Sequence, residues 1–155
     1  HFGLGMQILY SSRTKRSDTE LDGLSARHCE LAELLATADF VSLHCPATAD
    51  TRHLINARTL AQMQPSAHLI NTARGDIVNE QDLIAALQQG TIAGAGLDVY
   101  EAEPQLTKGL VDLPNVVLLP HMGSGTPQAR VAMGACALAN IRAFAADQAL
   151  PNRVS

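Results

Sequence analysis

Three apolar stretches of this chain stop on reactive side chains, and no other feature limits its fold so closely. AHLINTARG (67–75) runs out on Arg74 and Gly75, AGAGLDVYEAEP (93–104) runs on into Glu103, and NVVLLPH (115–121) ends at His121. A strand that stops on Arg asks for an anion. A helical pattern separates the first two strands, so they are expected to run parallel and to share one carboxyl edge. That edge is where open α/β sheets bind ligands.

The other elements follow from the same periodicities. MQILYSS (6–12) reads as a strand, and SRTKRSD (12–18) as a polar turn with no acidic residue before Asp18. A helical pattern covers 30–38, and DFVSLHC (39–45) is a buried strand broken by Pro46. Asn56 is placed to cap ARTLAQM, and Asn79 to cap QDLIAALQQ, with Glu80 and Asp82 in that helix's first turn and Gly90 at its end. Thr126 or Pro127 opens a long helix toward Phe144. This alternation predicts an α/β, Rossmann-type, doubly wound parallel sheet.

Composition narrows the partners. A net charge of -4 and a pI near 5.8 leave no footprint for nucleic acid, and no apolar run has the length of a membrane span. Cys29, Cys45 and Cys136 are few, odd in number and far apart, so neither a disulfide framework nor a zinc site is expected. His1, His28, His44, His53 and His68 lack metal-ligand spacing and read as surface or packed residues.

A sheet of this kind normally carries G-x-G-x-x-G after its first strand, where the backbone must approach a pyrophosphate closely. Candidate triplets start at Gly3, Gly94 and Gly123, but their third positions hold Ile8, Val99 and Gln128. None qualifies. The chain is therefore read as N-terminally truncated, beginning inside the first crossover helix, with the first strand and glycine loop upstream of His1. The turn after the first visible strand holds Arg13, Lys15 and Arg16 where NAD would require an acid for its ribose hydroxyls. That choice favours NADP, as NADPH, with NAD still possible.

These residues resemble the NAD(P)-binding domain of D-isomer-specific 2-hydroxyacid dehydrogenases. CPATADTRHLIN (45–56), INTARGDIVNEQDLIAAL (70–87), GAGLDVYEAEP (94–104) and LPHMGSGT (119–126) carry the likeness, in the family's order and spacing. Within the family, HFGLGMQILY, ARHCELAELLATADFV and ACALANI look most like bacterial glyoxylate/hydroxypyruvate reductases that also reduce 2-ketogluconate. The resemblance implies catalytic roles for three residues. Arg74 would hold the substrate carboxylate and carbonyl, His121 would protonate the carbonyl oxygen as hydride arrives, and Glu103 would orient and charge that histidine. It also places Pro46 and Thr51 beside the cofactor, Thr72 and Ala73 along the nicotinamide, Asp98 on its carboxamide, and Gly123 and Ser124 in the same pocket.

Family members are longer, with a substrate domain built mostly from their N-terminal part. Residues 1–127 are thus read as a partial dinucleotide-binding domain, and 128–155 as a helix and tail returning toward a substrate domain mostly absent here. In the family's order the missing strand should lie between the strands at Met6 and Ala67, leaving two unpaired edges, so this chain alone is expected to be unstable and inactive. QALPNRVS resembles the family's usual close, and the resemblance implies that no regulatory domain is expected after it. That close argues against the longer phosphoglycerate dehydrogenases, and Glu103, where formate dehydrogenases carry Gln, argues against formate oxidation. The expected protein is a cytoplasmic reductase of small 2-oxo acids, glyoxylate and hydroxypyruvate first, and a homodimer by resemblance. The rivals are a dinucleotide-sensing co-repressor and an inactive gene remnant.

Overall fold

A computed structural model describes residues 3–17, 21 and 23–153; His1 and Asp18 lie outside these. The chain falls into two compact units, His1–Leu119 and Pro120–Ser155. The first holds two parallel sheets. Strand β1 (Ile8–Tyr10) pairs with β2 (Ala26–His28), and after helix α1 (Leu31–Thr37) come β3 (Phe40–Leu43), α2 (Ala57–Leu60), β4 (His68–Asn71), α3 (Glu80–Gln88), β5 (Gly94–Leu97) and β6 (Val116–Leu118). The last four strands form one sheet in the order β3-β4-β5-β6, all parallel.

The predicted Rossmann-type α/β order is present, with two corrections. Strand β2 was not anticipated, because Ala-Arg-His has neither apolar alternation nor β-branched residues. The free edge also lies elsewhere than expected. His68 faces Phe40 on one side and Gly94 on the other, so β4 is interior, and the edge belongs to β3, where Phe40 is 53% exposed.

Local chemistry explains the helix starts. The Asn56 carboxamide accepts from the Arg58 and Thr59 N–H groups while the Thr59 hydroxyl accepts from Asn56 N–H, a reciprocal capping box. Asn79 caps α3 by accepting from Asp82 N–H, and Gly90, at φ +68°, ends the turn beyond it in a conformation that favours glycine. The core packs Leu35, Ile55, Leu60, Leu69, Ile77, Leu83, Ile92 and Leu110, all fully buried, around β3 to β5. Alternation along β3 sends Val41 and Leu43 inward and leaves Phe40 and Ser42 exposed.

The second unit is dominated by α4 (Pro127–Ala145), capped by the Thr126 hydroxyl accepting from Ala129 N–H, with proline at its first position. No residue of α4 is buried. Asn140 and Asn152 join the helix to the tail by a mutual pair of hydrogen bonds.

Candidate active site

Strand β4 ends in a buried amide that shapes the turn after it. Asn71, 1% exposed, accepts from Ala73 N–H at 3.1 Å and donates to the Arg74 carbonyl at 2.9 Å. A lone amide closing an apolar strand is costly to bury unless its donors and acceptors are matched, and this one is satisfied by the turn itself. The result leaves Thr72 and Arg74 exposed and Ala73 half-buried. The Arg74 guanidinium is steadied by a 2.6 Å bond to the Ala73 carbonyl.

Gly75 then brings this turn against the next strand's exit. A Cβ on Gly75 would lie 1.9 Å from the Tyr100 carbonyl carbon and 2.4 Å from Glu101 N, so only hydrogen fits. Tyr100 N–H in turn donates to Glu103 Oε1 at 2.9 Å. Arg74 and Glu103, predicted from separate motifs, therefore sit on segments whose backbones touch. Asp98, 8% exposed, closes β5 beside them, with its N–H donating to the Asn71 carbonyl.

The loop after β3 leaves the sheet at the same edge. There the Thr51 hydroxyl donates to the Pro46 carbonyl at 2.7 Å and accepts from Thr48 N–H at 2.8 Å, so both predicted residues lie on one braced loop. Arg13 belongs to the other sheet. It is exposed on the turn after β1, which is shaped by the Ser12 hydroxyl donating to the Thr14 carbonyl and by Arg16 N–H donating to the Tyr10 hydroxyl. With Lys15 and Arg16 also exposed, the turn offers cations suited to a phosphate ester. His121, Gly123 and Ser124 belong to the second unit. His121 is exposed with φ +52°, and a turn from Met122 to Gly125 follows it, with Gly123 exposed and Ser124 half-buried.

Several residues that serve this edge escape sequence reasoning. Glu80 reads as a helix-dipole acid, yet it is 1% exposed and accepts from Glu101 N–H and from the Thr107 hydroxyl. Asp82 reaches across to Ala57 N–H at the start of α2. His53, whose sequence neighbourhood marks only a packed or surface residue, pairs with Glu101 at 2.6 Å across 48 positions of sequence. Burial pushes the Tyr100 phenol above its ordinary pKa, with the Asp98 charge adding to the effect. It stays a neutral donor and bonds the Leu119 carbonyl at 2.6 Å. Among the described residues no group of three His, Cys, Asp or Glu is placed to hold a metal, and no helix is long and apolar enough to cross a membrane.

Residues 2–123 match the family model described as D-isomer specific 2-hydroxyacid dehydrogenase, NAD binding domain. The glyoxylate/hydroxypyruvate reductase B of Pectobacterium atrosepticum is 47% identical across 100% of this chain and 48% of its own length. The glyoxylate reductase of Thermococcus litoralis is 46% identical across 99% of this chain and 46% of its own. Among solved structures, an NADPH-dependent glyoxylate/hydroxypyruvate reductase from Sinorhizobium meliloti, in complex with NADP and malonate, matches with a TM-score of 0.90 at 37% identity, over 99% of this chain and 48% of that one. The apo D-mandelate dehydrogenase of Rhodotorula graminis matches with a TM-score of 0.89 at 33% identity, over 99% of this chain and 45% of that one. The chain thus spans about half the length of the curated relatives it matches. A matching family model over most of the chain, joined to the parallel sheet and its braced carboxyl edge, makes this chain a member of the D-isomer specific 2-hydroxyacid dehydrogenase family through its NAD binding domain.

Proposed function

We propose that the protein containing this chain reduces small 2-oxo acids, glyoxylate and hydroxypyruvate first, to D-2-hydroxy acids with NADPH. The observation that carries this reading is the pinned turn at Arg74. A permanently charged planar fork, exposed at the carboxyl edge and braced against the segment that holds Glu103, suits a substrate carboxylate. In support, one relative is named for both glyoxylate and hydroxypyruvate and another for glyoxylate.

The bound dinucleotide supplies the hydride. The chain's own residues do the rest. Arg74 binds the carboxylate and holds the carbonyl in line, which converts an encounter into an oriented reaction. His121 is assigned the proton that reaches the carbonyl oxygen, and Glu103 the role of orienting that histidine. Pro46, Thr51, Thr72, Ala73, Asp98, Gly123 and Ser124 line the cofactor. Arg13, aided by Lys15, takes the additional phosphate that distinguishes NADPH. By itself the 155-residue chain lacks turnover, and residues 128–155 return toward a substrate domain in a protein that acts as a homodimer.

In the complete natural protein, His121→Gln lowers the steady-state rate of hydroxypyruvate reduction by at least about a hundredfold, the usual scale of a lost general acid. An unchanged rate removes His121 from the mechanism. Arg13→Asp moves the ratio of kcat/KM for NADPH over NADH toward NADH. A ratio that does not move ends the phosphate assignment.

A further inference from the structure

The edge is held together by a pair that none of the assigned roles uses. His53 Nε2 lies 2.6 Å from Glu101 Oε1, with both side chains about a quarter exposed, at 29% and 27%. His53 also has φ +49°, a conformation that non-glycine residues adopt at a cost and keep only when their surroundings fix it. Its surroundings do so. Its N–H donates to the Asp76 carbonyl at 2.9 Å, and its carbonyl accepts from the Asn56 side chain at 2.8 Å. Two residues on, Ile55 bridges Val78, and its N–H and carbonyl bond Ile77 and Asn79.

Glu101 is fixed as firmly from the other side. Its N–H donates to the buried Glu80 carboxylate at 2.8 Å, and its backbone packs on Gly75. Arg52 Nη2 stands 3.8 Å from the same Glu101 oxygen but is 58% exposed, so it adds little. Three segments meet at this one bond. The loop with Pro46 and Thr51 arrives through His53, the Arg74 turn through Asp76 and Gly75, and the loop with Glu103 through Glu101.

We propose that His53 and Glu101 are a positioning pair that locks the cofactor loop to the segment carrying Glu103. Neither residue touches substrate; the pair makes cofactor binding and proton delivery depend on one contact. This rests on the function proposed above. The carboxylate matters for its reach and its acceptor oxygen, and glutamine supplies both.

The test uses the complete natural protein, with NADPH affinity from fluorescence titration, kcat with hydroxypyruvate, and the unfolding midpoint. Glu101→Ala is expected to weaken NADPH binding and to lower kcat, each by about tenfold, within the range of couplings between contacting residues. Glu101→Gln recovers most of both losses, and His53→Gln combined with Glu101→Ala is no worse than the poorer single variant. Glu101→Ala that lowers only the unfolding midpoint overturns the proposal and leaves the pair purely structural. Glu101→Gln that falls as far as Glu101→Ala overturns it too, because charge rather than the bond would then be at work. If His121→Gln leaves turnover intact, the reading of the site fails, while the NADPH titration still judges the pair.

Discussion

Residues 67–100 and residues 127–145 are both dominated by apolar side chains, and the molecule treats them in opposite ways. In the first region the apolar residues alternate along β4 and gather on one side of α3, where Leu83, Ile84, Ala86 and Leu87 are buried. In the second they run all round α4, whose only charged residues are Arg130 and Arg142, and not one is buried. Phe144 is 79% exposed, Val131 72% and Ile141 64%. A helix that is apolar on every side belongs inside a larger body, whereas a striped one needs a single neighbour. Apolar content therefore says that a segment will be covered, and its period says from how many sides.

The comparison breaks most sharply at Gly75, where the first region has no slack at all. Gly75→Ala puts a methyl carbon about 2 Å from the Tyr100 backbone, which has no side chain to rotate away. The two segments must part. We expect the complete natural protein to lose about 3 kcal/mol of stability by denaturant unfolding, the upper range for overpacking, and turnover to fall with it as Arg74 and Glu103 separate. An alanine variant of unchanged midpoint would show that the turn and the Tyr100 segment are not pressed together.

Local signals made much of this fold legible. Asn56, Asn79 and Thr126 announce helix starts because a short side chain competes for nearby N–H groups whatever lies around it, and each of them caps. Strands β4, β5 and β6 were readable from their apolar runs, and the parallel pairing of β4 and β5 from the helix between them. Neighbourhood in the sheet was not readable, because nothing in His68–Asn71 or Phe40–Leu43 states which of them is the edge. The site divided along the same line. Arg74 and Glu103 stand out because charge follows an apolar run, whereas Glu80 looks like any acid in a first turn until its burial is known. The bond from His53 to Glu101 joins residues 48 apart, each ordinary in its own stretch.

Phe144→Ser is where the two regions should differ most quietly. In the 155-residue chain Phe144 has little burial to lose, so the substitution should leave helical circular dichroism unchanged and shift stability by less than about 0.5 kcal/mol, as surface changes do. It should also lower aggregation in a sedimentation assay, since it removes a large exposed apolar group. The complete natural protein is the contrasting case. If α4 returns to a substrate domain as proposed, the same change there removes a buried aromatic and costs about 3 kcal/mol or more. A loss of helix in the short chain would mean that α4 is already docked. Equal tolerance in both would leave the helix uncovered and would end the proposal that residues 128–155 lead back to a second domain.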